Sequence, residues 1–343
     1  MTLSSAAAAA FLSTGLISLA PNILLFLFPN YTTTTSQSYE NRAWLSLGQS
    51  LAVGGLLGDV FLHTLPHCFA DASEDRNHDG HSHYDDHSHH HSAGGEIGLR
   101  VLFGFILFMV LDIIIRSLDG GCFQNHSHDI TDKKTQGPAQ CRSNDSPWRL
   151  IFSSGVVLNL IGDALHNFTD GLAIGATFAA SHIPSSSFDI SSPMSWISSS
   201  FTILKSRGGL ASISIFLHEI PHELGDFATL VSAGMSRNMA VGMQFVTAIA
   251  AFIGTALGLF SSQLVEGLGH NVMLPFTAGG FVYLASVSIL PEVLETDVNA
   301  RFRLLQILSF TLGLGFMYAV GVLENIEAHI EKTQHVHHIH KEL

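Results

Sequence analysis

The sequence predicts an all-α membrane protein with eight transmembrane helices, because of its composition and the spacing of its apolar segments. Of the 343 residues, 47% are hydrophobic and only 13% are charged. The charged residues lie mainly between apolar blocks. Since a helix needs about 20 mainly apolar residues to cross the hydrocarbon of a bilayer, each block is long enough for one span.

Eight such segments follow one another along the chain. The first has no basic residues before it and is longer than the ~7–15 apolar residues of a secretory signal, so we expect a retained helix. The predicted spans are Ala6–Phe28, Trp44–Leu65, Leu99–Ile115, Leu150–Ala180, Leu210–Ala233, Met239–Leu264, Val272–Leu290 and Leu304–Leu323.

An even number of spans places both chain ends on one side of the membrane. If that side is not the cytosol, nine of the 15 Lys and Arg residues become cytosolic, as the positive-inside preference favours. The net charge of -13 argues against a nucleic-acid partner, since neutralising phosphates requires clustered Lys and Arg. The three cysteines, Cys68, Cys122 and Cys141, are too few and too scattered for a disulfide framework or a cysteine-type zinc site.

Three connections are long and polar: 70–98, 117–147 and 181–209. In the first, seven histidines alternate with Asp and Ser, a composition that forms no packed core. Since imidazole is the commonest metal ligand, this His-rich loop predicts loose metal capture, the alternative being a merely hydrophilic loop. The second predicts a cytosolic loop and the third, rich in serine, an irregular segment without chemistry.

The fourth span carries a polar stripe on one helix face. Asn159, Asp163, His166 and Asp170 follow at steps of four, three and four residues, while the other positions are mainly apolar. Charged groups in a bilayer are costly and call for a partner, a cation or a water path. We therefore predict metal ligation by His166 and Asp170, the alternative being hydrogen bonding between helices.

The fifth span places His218 and His222 one turn apart, beside a strip formed by Glu219, Glu223 and Asp226. Pro221 lies between the two histidines. Because proline removes a backbone donor and clashes with the preceding turn, we predict a bent or broken helix that bares the carbonyl of Leu217.

In the second span, Asp59, His63 and His67 are again four residues apart. His63 lies deepest and is the best additional ligand. For His67, a polar role at the mouth is an equal alternative, and Asp59 is either a ligand or the hydrogen-bond partner that orients His63.

Imidazole and carboxylate together suit Zn²⁺, and also Fe²⁺, Mn²⁺ or Co²⁺. Two functions that do not require the metal to cross the membrane are open at this point. The segment HEIPH matches the HExxH motif of zinc metalloproteases, in which Glu219 would be the general base. A non-transporting zinc sensor or scaffold would use the His-rich loop.

The chain resembles the ZIP family of zinc and iron transporters, in its histidine-rich branch. The resemblance is carried by GGLLGDVFLHTLPH, HNFTDGLAIGA, HEIPHELGDFA and LPFTAGGFVYLASVSILPE, in that order. It implies one transporter domain over 1–343, with eight helices in inverted repeats. It also implies alternating access, passage of the metal toward the cytosol, no enzymatic activity and no resident cofactor, with Zn²⁺ as cargo.

The resemblance further implies a primary metal site of His166, Asp170, His218 and His222, with His63 from the second helix. Asn167 and Glu219 would match a neighbouring second site. Some relatives complete that second site with a glutamate in the sixth helix, where this chain has Gln244 and Thr247, so a binuclear centre is in doubt.

A homodimer is common in the family. The members of the endoplasmic reticulum and Golgi are the nearest likeness, and the terminal HKEL resembles KDEL-type retrieval signals. We therefore expect residence in those membranes, the plasma membrane being the alternative.

Overall fold

The computed structural model describes residues 3–25, 39–70, 92–118, 151–181, 203–260, 269 and 271–342. Over these residues the chain forms eight helices, which confirms the predicted fold class. They are α1 (Leu3–Leu25), α2 (Tyr39–Gly58, continuing to residue 70), α3 (Ser92–Leu118), α4 (Ser154–Ala180), α5 (Arg207–Ser232), α6 (Arg237–Phe260), α7 (Leu274–Tyr283, continuing to Glu295) and α8 (Ala300–Glu342).

The predicted loops fall largely outside the described residues, which omit 71–91, 119–150 and 182–202. At their edges, α3 begins at Ser92 and α5 at Arg207, so both helices start inside segments predicted as loop. Gly94, Gly95 and Glu96 precede the apolar run of α3 and hide this start, since neither glycine nor charge signals a membrane helix.

Six of the described helices contain an apolar segment long enough to cross a membrane. The two that miss this criterion are α4 and α5, the helices with the polar stripes. Their polar residues are buried inside the protein rather than exposed to lipid, as Asn159 and Glu223 illustrate with 0% and 2% exposure. Apolar side chains such as Phe103 on α3 and Leu308 on α8 are exposed instead, on a surface suited to hydrocarbon.

The helices pack as two groups. The first bundle contains α1, α4, α5 and α6, and the second contains α2, α3, α7 and α8. Their main contact is between α5 and α2.

Glycines allow the helix backbones to touch. A Cβ on Gly171 of α4 would lie 2.0 Å from the carbonyl oxygen of Ala251 on α6, and one on Gly175 would lie 2.3 Å from that of Thr255. Gly225 of α5 is equally tight, with its Cβ position 2.3 Å from the Cβ of Ala52 on α2. Gly162 makes only ordinary contacts, the nearest at 3.5 Å. The helix backbones thus approach closely at Gly171, Gly175 and Gly225 but not at Gly162.

Two helices contain a π-helical turn, at Asp59–Thr64 in α2 and at Leu284–Ile289 in α7. Helix α5, in contrast, runs unbroken from Arg207 to Ser232 through Pro221. The helix is therefore not broken at Pro221, while the predicted bend and the bare carbonyl of Leu217 stay predictions. The proline is buried against α2, where the Cβ position of Gly55 is 3.5 Å from its side chain, and this packing holds the helix in place.

Candidate metal site between α4 and α5

The polar stripes of α4 and α5 face each other in the protein interior. His166 and Asp170 lie one turn apart on α4, and His218 and His222 lie one turn apart on α5. The three histidines are 3–7% exposed. The sequence periodicity thus brings all four primary candidates to one place.

Four potential ligand atoms form a close group. One atom each from His166, Asp170, His218 and Glu219 lies within 4.8 Å of all the others. His218 Nε2 is 2.9 Å and His166 Nε2 is 3.7 Å from Asp170 Oδ2, and His166 Nε2 is 3.3 Å from Glu219 Oε1.

Three of the six separations among these atoms are close to those around a tetrahedral zinc ion. With metal–ligand bonds of about 2.0–2.1 Å, two atoms bound to the same ion lie roughly 3.3 Å apart. The three measured distances bracket that value. Two imidazoles and two carboxylates are also a donor set that zinc accepts.

His222 lies beside the group rather than within it. Its ring stacks on that of His166, with centroids 4.7 Å apart, and both rings contact Phe281 of α7. Among the described residues, His222 Nε2 and His218 Nδ1 have no hydrogen-bond partner although both are buried. An unpaired buried nitrogen is costly unless another group supplies its partner, and a bound cation would be such a group.

A second group lies next to the first, on α2 and α8. Glu324 Oε2 is 2.9 Å from His63 Nδ1 and 3.2 Å from His67 Nε2, and the hydroxyl of Ser214 on α5 donates to Oε1 of the same carboxylate. The ring centroids of His63 and His218 are 5.7 Å apart, so the two groups adjoin. The partner of His63 is therefore Glu324 and not Asp59, which instead accepts a hydrogen bond from Thr64 at 3.3 Å.

The predicted second-site residues have different hydrogen-bond and ligand partners. The amide of Asn167 donates to Asp163 Oδ1 at 2.5 Å, while Glu219 belongs to the close group with His166. Gln244 of α6 donates to the backbone carbonyl of Glu223 at 2.7 Å. That Asn167 and Glu219 share a second site stays a prediction.

Sequence reasoning missed Glu324 and Asn22. Glu324 follows the last apolar span, where a charged residue ordinarily marks the membrane boundary. Asn22 is fully buried on α1, which had been expected to be purely a membrane span, and it donates to Glu223 Oε1 at 3.3 Å. The steps of four between Thr14, Ser18 and Asn22 are the signal that could have revealed a polar face on α1.

Comparison with known proteins decides the family. The family model described as "ZIP Zinc transporter" matches residues 4–187 and 197–321. This chain belongs to the ZIP family. Zinc transporter SLC39A7 from Mus musculus is 34% identical over 367 residues, covering 91% of this chain and 69% of the relative. The human SLC39A7 is also 34% identical, covering 91% and 70%, and zinc transporter zipt-7.1 from Caenorhabditis briggsae is 34% identical, covering 90% and 77%.

Membership in the ZIP family makes the chain a multi-pass membrane transporter and not an enzyme. The metalloprotease and sensor alternatives are thereby set aside. HEIPH lies within α5, and the rings of its two histidines contact that of His166 on α4.

Proposed function

We propose that the protein carries Zn²⁺ across its membrane and toward the cytosol, and that the ion binds among His166, Asp170, His218 and Glu219. The observation that supports this most is the set of ligand separations of 2.9, 3.3 and 3.7 Å around a point inside the first bundle. Four ligands from two helices replace the hydration shell that the ion loses at that depth.

The distribution of positive charge supports the membrane orientation that this direction assumes. The cytosolic side inferred from Lys and Arg contains the beginning of α4 and the end of α5. The His-rich loop and the group of His63, His67 and Glu324 would then lie on the opposite side, where the metal enters. Glu324 and its two imidazoles can receive an ion at the mouth and pass it to His218.

Alternating access follows from the way the ligands are divided between the bundles. All four closely grouped ligands belong to α4 and α5 of the first bundle, whereas His63 and Glu324 belong to the second. A rigid shift of the first bundle against the second would carry the bound ion intact and change only which side reaches it.

Flux measurements test the proposal. Purified protein in proteoliposomes should take up ⁶⁵Zn²⁺, and His218→Ala and Asp170→Asn should reduce uptake to background while leaving membrane insertion intact. Asp112→Asn is the matched control, since this buried carboxylate of α3 is engaged by Arg116 at 2.8 Å and Tyr283 at 2.7 Å, away from the site. Uptake that persists in both site variants would remove the proposed site.

Competition identifies the cargo. Unlabelled Zn²⁺ should suppress ⁶⁵Zn²⁺ uptake at lower concentrations than Fe²⁺ or Mn²⁺, because imidazole ligands favour zinc over manganese in the usual order of affinities. Stronger competition by Fe²⁺ or Mn²⁺ would assign that metal as the preferred substrate.

We also propose residence in the endoplasmic reticulum or Golgi membrane and assembly as a homodimer, as the family likeness implies. Imaging of the tagged protein and its mass in nanodiscs test these two points. A protein found only at the plasma membrane, or only as a monomer, would contradict them.

A further inference from the structure

Buried oxygen atoms without hydrogen-bond donors collect on one side of the histidine site. Within the described part of the chain they include Asn22 Oδ1, Asp163 Oδ2, Glu223 Oε2 and Gln244 Oε1. The four side chains come from α1, α4, α5 and α6 and are 0–6% exposed. Every helix of the first bundle thus contributes at least one unsatisfied acceptor.

Hydrogen bonds fix three of these side chains in place. Asn22 Nδ2 donates to Glu223 Oε1 at 3.3 Å, and Gln244 Nε2 donates to the Glu223 carbonyl at 2.7 Å. Asp163 accepts from Asn167 with its other oxygen, and the hydroxyl of Thr247 on α6 lies near the same carboxylate. Because the amide nitrogens of Asn22 and Gln244 already donate to Glu223, their oxygens are identified as the atoms left over.

Leaving such acceptors bare is expensive. Each buried acceptor without a partner costs about 1–3 kcal/mol, and more where it carries a charge. Asp163 and Glu223 add two carboxylates within membrane-spanning helices, which raises the cost further. A group that accepts electron pairs from several oxygens at once would remove this penalty.

We propose that these oxygens form a second cation-binding station, distinct from the histidine site and composed only of oxygen ligands. The inference rests on the proposed transport function. Asp163 lies one turn before His166 on α4, and Glu223 lies one turn after Glu219 on α5. The station is therefore displaced by about 5 Å toward the end where α4 begins, which is the inferred cytosolic side.

Oxygen ligands suit an ion that is leaving. Without imidazole, they hold a divalent cation less tightly and allow it to keep part of its water shell. The same end of α5 borders a cavity of about 600 Å³, lined by residues that include Ser232, Glu292 and Asp297. The station would accept zinc from the histidine site and release it toward this acidic cavity.

Ion counting on the full-length protein in nanodiscs tests the station. Equilibrium dialysis against ⁶⁵Zn²⁺ should show that Glu223→Gln binds one ion fewer than the parent protein, and Asp163→Asn, on a different helix, should show the same loss. Ions held by the His-rich loop are equal in all variants and cancel in the difference. Asp112→Asn, the buried carboxylate with both oxygens engaged, should retain the parental count.

Transport kinetics provide the second readout. Glu223→Gln should lower kcat for zinc uptake at least about tenfold and leave KM within about twofold, because entry to the histidine site is unchanged while release is slowed. Parental stoichiometry together with parental kcat would overturn the station and assign the oxygens to bound water. If one of the two carboxylate variants shows no thermal unfolding transition, and so is not folded, the ion count of the other variant decides whether the station exists.

The station and the histidine site fail separately in this experiment. If Asp170→Asn keeps its ion and its flux while Glu223→Gln loses one ion, the proposed histidine site is wrong and the station stands. If Asp170→Asn abolishes flux and Glu223→Gln changes nothing, the histidine site stands and the station is refuted.

Discussion

The contact between the backbones of α4 and α6 makes a prediction whose size follows from the structure. Gly171 is adjacent to the proposed ligand Asp170, and a Cβ at this position would lie 2.0 Å from the carbonyl oxygen of Ala251. Since Cβ atoms essentially never approach such atoms closer than 3.0 Å, Gly171→Ala requires α4 and α6 to separate by about 1 Å. A carbonyl oxygen of a helix backbone cannot rotate away.

This displacement exceeds the tolerance of a metal site. Ligand distances must hold to within about 0.2 Å, so a shift of about 1 Å next to Asp170 should weaken the site. We expect apparent zinc affinity to fall at least about tenfold, or about 1.4 kcal/mol. Overpacking should also destabilise the fold by roughly 1–3 kcal/mol, more than the ~1 kcal/mol that alanine gains over glycine in a helix.

Gly242→Ala on α6 is the matched control, because a Cβ there meets nothing within 4 Å. It should melt at or above the parental temperature and transport normally. The measurements are ⁶⁵Zn²⁺ uptake against zinc concentration and thermal unfolding in detergent. If Gly171→Ala matches Gly242→Ala in both, the backbone contact does not position the ligands and the reasoning fails.

Three further variants probe the entrance, the loop and the bundle interface. Glu324→Gln should raise KM for zinc several-fold with little change in kcat, since it removes the charge shared by two imidazoles at the mouth; an unchanged KM would contradict this role. Deleting Asp71–Ser92 should preserve flux and alter apparent affinity, whereas complete loss of flux would make the loop essential. Gly225→Ala should impair uptake, and adding Ala52→Gly should restore part of it, because it removes the 2.3 Å contact and leaves the Cα of residue 52 at 2.9 Å; no recovery at all would argue against a steric cause.

Local periodicity predicted the part of the site that lies on two helices. His166 with Asp170, and His218 with His222, are one turn apart, so any regular helix presents each pair on one face. That α4 and α5 turn these residues toward a partner, rather than toward lipid, followed from the free-energy cost of exposing charged groups to hydrocarbon. Those arguments required no knowledge of how distant helices pack.

The remaining features depend on tertiary structure that periodicity does not contain. Glu324 becomes a partner of His63 only because α8 packs on α2, with more than 250 residues between them in the chain. The π-helical turn at Asp59–Thr64 changes the local helix register. Regular steps of four residues therefore suggested Asp59 as the partner of His63, whereas the structure places Glu324 there. Pro221 predicts a bent or broken α5 because only its local effect, a lost backbone hydrogen bond and a clash with the preceding turn, can be read from the sequence. In the structure the helix is unbroken, and Pro221 is buried where α5 faces Gly55 of α2.

The low hydropathy of α4 and α5 is a consequence of the proposed transport mechanism. A helix exposed to lipid cannot carry Asp163, Asp170, Glu219 and Glu223, because each charge would face hydrocarbon. Helices α1 and α6 cover α4 and α5 on one side, and α2 and α7 cover them on the other. The apolar surfaces of the covering helices can then face the lipid, while the polar stripes of α4 and α5 face inward. The same arrangement keeps the close ligands within one bundle, so relative movement of the bundles would change access to the ion without changing its coordination. A transporter that shared these ligands evenly between both bundles would have to break the site each time it moved.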